Sequence, residues 1–113
     1  MTDTITIIAC RLGADPVVEE LPKGLQHMQG LVGGFVECVA LSSEIDLWCN
    51  EEFLLNDSAP NRLVARANGS GLSIHGDFFL ASHDDEGNTI GLTESQQSKW
   101  LDEMRQSPVA LWA

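Results

Sequence analysis

Basic residues are scarce in this chain. Six Lys and Arg stand against seventeen Asp and Glu, for a net charge of −11. A field of that sign repels polyanions over a Debye length, so direct binding to nucleic acid or to an anionic membrane surface is not expected. Long apolar runs are missing too: none approaches the ~20 residues that cross a bilayer as a helix, and no membrane partner is expected. Thr4–Cys10 is apolar but has no basic region before it and no small-residue cleavage site after it, so it reads as a first strand rather than a leader. Metal-ligand spacing is also absent. His27, His75 and His83 stand apart, and neither Cys-x-x-Cys nor His-x-x-x-His occurs. No phosphate-cradling loop is present either, because Gly30, Gly33 and Gly34 close a helical pattern, whereas phosphate loops open one. No metal and no cofactor are expected.

The three cysteines, Cys10, Cys38 and Cys49, are an odd number, two of them embedded in strand-like runs. That suits reduced, buried thiols in a cytoplasmic protein. A buried thiol in a strand is also the commoner reading than a Cys–His nucleophile.

At 113 residues and 43% hydrophobic content the chain can bury one core without staples, which predicts a single domain over residues 1–113. Alternation over Thr4–Cys10 predicts a strand, Leu12–Pro16 a turn, and Val17–Glu20 a returning strand that stops at Pro22. Leu25, Met28, Leu31 and Val32 fall at helical spacing, with Gly33-Gly34 as the stop. Phe35–Leu41 and Ile45–Asn50 flank Ser42-Ser43-Glu44 as a hairpin, expected at the centre of the sheet, with Glu37 sharing a face with Phe35, Val39 and Leu41. Residues 51–66 are the least regular stretch, with a turn at Asn56–Pro60 and a helical first turn suggested by Pro60–Val64.

Leu72–Leu80 reads as one strand interrupted at Gly76, and His83–Asn88 as a polar turn. Thr93 with Gln96 forms a capping-box pattern, opening a helix that places Trp100, Leu101 and Met104 on one face. This order predicts an α+β fold: a small, mostly antiparallel sheet of about five to six strands with two to three short helices packed on it.

Val32-Gly33-Gly34-Phe35, Asn50-Glu51-Glu52, Pro60-Asn61-Arg62, Gly76-Asp77-Phe78-Phe79 and Leu92-Thr93 with Gln96 occur in the order of a known pattern, and on these motifs the chain resembles the domain-of-unknown-function family DUF3846. The resemblance spans nearly the whole chain. It departs at Phe53, where the family often has glycine, and over Ala67–Gly71. It implies a bacterial, plasmid or phage setting and brings no reaction with it.

Two sets of residues carry possible function. Asn50, Glu51, Glu52, Asn56, Asn61 and Arg62 lie at a strand end and across one loop, where they could converge on a small anionic, nucleotide-like ligand. Arg62 would offer a planar fork of donors and the asparagines paired donors and acceptors. The competing reading pairs Arg62 with Glu51 or Glu52 and ties the asparagines to turn backbone. Catalysis by Glu51 and Glu52 together is not expected, because neighbours on an extended segment face opposite ways.

The second set is Asp15, Glu19, Glu20, Glu44, Asp46 and Asp57, which could line one side of the sheet and imitate a row of phosphates towards a host protein. Residues 1–60 hold ten acids and two bases, against seven and four in residues 61–113, so the first half dominates the charge. Three classes follow: an acidic binding or inhibitory protein of a mobile element, a small-ligand binder, or an enzyme using the same loop. The first is preferred, as a monomer or a homodimer.

Overall fold

β-Branched residues in alternation want a pleated, half-buried surface, and the first segment finds one. In the computed structural model, which describes residues 3–52, 59–65 and 69–106, strand β1 (Thr4–Cys10) pairs antiparallel with β2 (Val17–Pro22), Thr4 opposite Pro22 and Ala9 opposite Val17. Helix α1 (Leu25–Val32) follows and ends where Gly33 takes φ 81°, with the Gly33 and Gly34 amides both donating to the Gln29 carbonyl. A left-handed stop of this kind favours glycine. Then come β3 (Val36–Ala40), β4 (Ile45–Asn50), β5 (Pro60–Ala65), β6 (Gly71–His75), β7 (Phe78–His83), β8 (Thr89–Ile90) and helix α2 (Glu94–Gln106).

The main sheet runs β2-β1-β7-β4-β3, with β8 added to β7, and every pair is antiparallel. β5 and β6 form a separate two-stranded ribbon. The fold is α+β, with two helices among the described residues.

Alternation sorts the strands onto two cores. Ile5, Ile7, Ala9, Phe79 and Ala81 pack with Val32 and Met28 of α1, and Trp48 stacks on Phe79 with ring centroids 6.4 Å apart. Ile8, Leu47, Cys49, Phe78 and Leu80 pack on the opposite side with Val64 and Ile74 of the ribbon and Trp100 and Met104 of α2. α1 therefore covers one face, and the ribbon with α2 covers the other. Phe78, Phe79 and Leu80 are fully buried, each contributing roughly 1.5–3 kcal/mol by removal from water.

The C-terminal helix opens as its sequence predicts. The Thr93 amide donates to Gln96 Oε1 at 2.9 Å and the Gln96 amide to Thr93 Oγ1 at 3.2 Å, the reciprocal pair of a capping box.

Four expectations are corrected. The sheet centre is β7, not the β3–β4 hairpin: Phe78–Ala81 is apolar on both faces, whereas β3 is an edge that leaves Glu37, Cys38 and Ala40 exposed. Cys38 is therefore not a buried thiol, although Cys10 and Cys49 are. Leu72–Leu80 is two strands in two different sheets, because Gly76 at φ 74° turns the chain sharply between β6 and β7. Pro60–Val64 begins a strand rather than a helical turn, since β6 supplies cross-strand partners on either side of an irregularity between Pro60 and Arg62.

Candidate functional site

Strand parity decides where Asn50 goes. On β4, Cys49 faces α2, so Asn50 faces α1. There, 6% exposed, its Nδ2 donates to the Val32 carbonyl at 3.3 Å and its Oδ1 accepts the Glu52 amide at 2.8 Å. Glu51 and Glu52 are exposed in the turn beyond. Asn61 and Arg62 lie on the opposite, α2 side. Asn61 Nδ2 donates to the Cys10 carbonyl at 3.0 Å and the Gly76 carbonyl at 2.7 Å, and its Oδ1 accepts Arg62 Nη1 at 2.6 Å. Arg62 Nε donates to the Met104 carbonyl at 3.0 Å and Nη2 to the Ala14 carbonyl at 3.3 Å. Asn50 thus does not converge with Asn61 and Arg62, and Arg62 pairs with neither Glu51 nor Glu52. Asn56 lies outside the described residues, as does Asp57 of the acidic set.

What the ribbon and the Leu12–Asp15 turn do enclose is a cleft of about 410 Å³, lined by Leu12, Gly13, Ala14, Asp15, Ala59, Asn61 and Arg62. Arg62 also stands beside the Cys10 thiol. Its charge only partly offsets the desolvation that pushes that thiol up to about 12.

The acidic row is not formed, for the same reason of parity. Glu19 and Glu20 are neighbours on β2 and face opposite ways. Glu19 makes a two-pronged pair with Arg11, at 2.5 and 3.0 Å, while Glu20 accepts the hydroxyls of Thr4 and Thr6. Asp46 is buried, 7% exposed, with Oδ2 2.8 Å from His83 Nδ1. That hydrogen bond, and then the carboxylate's charge, raise the His83 pKa above the ordinary 6.5, with the Ser43 backbone adding to the effect. Asp15 and Glu44 remain exposed, and Glu44 accepts Gln96 Nε2 at 3.3 Å.

A different acidic site takes the row's place. At the end of the sheet where the β3–β4 and β7–β8 turns meet the start of α2, a groove of about 550 Å³ is lined by Ser43, Glu44, His83, Asp84, Asp85, Thr93 and Gln96, among others. Glu86 and Glu94 are exposed in the same two segments. Asp84 organises the β7–β8 turn, its Oδ1 accepting the Glu86 and Asn88 amides at 2.9 Å each, and these bonds lower its pKa below 3.8. Sequence reading treated His83–Asn88 only as a turn. Its run of three acids, Asp84-Asp85-Glu86, was the available signal, hidden by a charge count that favoured the first half of the chain.

Among the described residues no group of three or more His, Cys, Asp or Glu is placed to hold a metal, and no helix is long and apolar enough to cross a membrane. Ser82 Oγ donates to the Glu44 carbonyl at 2.8 Å, so it is not aligned as a nucleophile for the His83–Asp46 pair.

No curated protein matches this chain, and no solved structure does. One family model matches residues 5–105, nearly the whole length, and it spans the Asn50 bond to Val32, the Asn61 bridge to Gly76 and the Thr93–Gln96 box described above. The chain belongs to the family described as domain of unknown function (DUF3846).

Proposed function

We propose that this chain is a non-enzymatic binding protein of a phage or other mobile element, acting in the cytoplasm on a host defence or nucleic-acid-handling protein. Its acidic groove is the docking surface. One observation carries this reading: Glu44, Asp84 and Asp85 line a single groove, with Glu86 and Glu94 exposed in the same segments. The one basic side chain among the described lining residues, His83, is already engaged by the buried Asp46. An unneutralised cluster on short, well-anchored turns suits a cationic surface, such as the channel of a nucleic-acid-handling protein. Complementarity of this kind speeds encounter and selects the partner. The chain's net charge of −11 strengthens the same field.

The test is capture of partners from a bacterial lysate on the tagged chain, with stepwise salt elution. A triple variant, Asp85→Lys with Glu86→Lys and Glu94→Lys, is compared with Glu51→Lys and Glu52→Lys at the other end of the sheet. A stoichiometric, salt-released protein that the triple variant loses and the Glu51/Glu52 variant keeps supports the groove. Equal loss in both variants, or retention in the triple variant, removes it.

A further inference from the structure

Among the described residues, Arg62 is a buried cation with no ion-pair partner. It is 8% exposed, and each of its three described contacts, to the Met104 and Ala14 carbonyls and to Asn61 Oδ1, is with a neutral acceptor. Ion pairs among the described residues join Arg11 to Glu19 and His83 to Asp46, and neither involves Arg62. Burying a charge in this way is costly unless an opposite charge meets it. A guanidinium has five N–H groups, so the contacts among the described residues leave one on each Nη.

The guanidinium is also held rigidly. Asn61 is fixed by its two bonds to the Cys10 and Gly76 carbonyls, which turns its Oδ1 towards Nη1 and sets the plane of the fork. A preorganised fork loses little freedom on taking a ligand.

The surroundings of Arg62 define what that ligand is. The cleft of about 410 Å³ falls in the range of small-molecule sites. Leu12 offers an apolar wall that is 44% exposed. Asp15, exposed, lines the same cleft and presents a negative charge to anything bound against Arg62. A doubly charged anion is disfavoured by that carboxylate, while a molecule carrying one charge of each sign meets both.

We infer that this cleft binds a small zwitterion of the α-amino acid class. Its carboxylate takes the two remaining N–H groups of Arg62, its ammonium meets Asp15, and its side chain lies against Leu12 and Ala59. The inference is independent of the acidic groove, which lies at the other end of the sheet and is read out by partner capture.

The experiment is a two-dimensional amide NMR titration of the full chain with each of the common α-amino acids, and with acetate and inorganic phosphate as single-charge-sign probes. Millimolar addition of at least one amino acid is expected to shift the amides of Gly13, Ala14, Asp15 and Ala59 and the Arg62 Nε–H. Asp15→Asn, an exposed substitution outside the core, is expected to weaken that binding about tenfold, the loss of one charge-assisted contact, while leaving acetate binding the same or tighter. No shift with any amino acid, shifts that map away from the Leu12–Asp15 turn, or amino-acid binding indifferent to Asp15→Asn would each overturn the inference. Acetate or phosphate binding as tightly as the best amino acid would overturn it as well.

Discussion

Gly34 offers a sharp test of how the fold is held. A methyl group added there would lie 2.7 Å from Asn50 Nδ2, with Asn50 Cγ and Oδ1 at 3.4 and 3.5 Å. Gly34 does not adopt a positive φ, so alanine is permitted by the backbone and the contact alone decides the outcome. Asn50 is 6% exposed and cannot turn away without giving up its bonds to the Val32 carbonyl and the Glu52 amide. Two lost hydrogen bonds cost about 1 kcal/mol each, and overpacking adds about 1–3 kcal/mol. Reduced freedom of the unfolded chain returns about 0.4–1 kcal/mol. Gly34→Ala should therefore destabilise by about 2–5 kcal/mol. Urea unfolding followed by the fluorescence of Trp48, two residues from Asn50 and stacked on Phe79, reads the loss. A double-mutant cycle isolates the cause: in an Asn50→Ala background the clash is gone, and adding Gly34→Ala should cost almost nothing. If Gly34→Ala alone stays within about 0.5 kcal/mol of the parent, or keeps its full cost beside Asn50→Ala, the steric argument is wrong.

Three further outcomes are expected. Thr93→Ala removes the hydroxyl that accepts the Gln96 amide and should cost about 1 kcal/mol of stability in the same urea assay. His83 has its pKa raised by Asp46, so the stability it contributes is complete below the ordinary value of 6.5 and is lost as pH rises through the folded value. Thermal melts across that window should show the decline, and His83→Gln should flatten it. Iodoacetamide on the native chain should modify Cys38 alone, and slowly. Cys38 is exposed, but its pKa is pushed up to about 11 by partial burial and the nearby Asp46, while Cys10 and Cys49 are buried. Mass spectrometry of the digested protein would show an error at once if Cys10 or Cys49 labelled first.

Local chemistry made several elements legible before any coordinates. Thr93 with Gln96, Gly33 after Val32 and the turn residues Asp84 to Asn88 act on groups a few positions away, and each does in the fold what its spacing implies. What escaped was long-range. Nothing in Leu72–Leu80 distinguishes one bulged strand from two strands in separate sheets, because the partners that decide it, β5 for one and β1 and β4 for the other, are distant in sequence. Pro60–Val64 opens with residues that suit a helix start, yet pairing with β6 overrides that preference. The spatial grouping of the described site residues was hidden on the same ground. Asn50 and Arg62 share a stretch of chain, but Asn50 ends β4 on its α1 side, whereas Arg62 lies on a separate ribbon that packs with α2. Asp46 was counted with surface acids, although its position on β4 aims it at His83.

The motifs of this family therefore report a scaffold more than a reaction. Gly34 is small because Asn50 stands against it, and Asn50 is polar because it caps the carbonyl of Val32 and receives the amide of Glu52. Asn61 reaches the Gly76 carbonyl, so Pro60-Asn61-Arg62 and Gly76-Asp77-Phe78 are two halves of one junction, which Asp77 extends by accepting the Leu12 amide at 2.8 Å. Polar atoms committed in this way are satisfied within the protein and are not offered to a partner. What remains available is the pair of Arg62 N–H groups that the described contacts leave, with Leu12 and Asp15 beside them, and Glu44, Asp85, Glu86 and Glu94 on the turns at the other end of the sheet. Binding changed at either end should then leave the unfolding midpoint nearly unmoved, whereas a change at the junction should move stability first and binding only as a consequence.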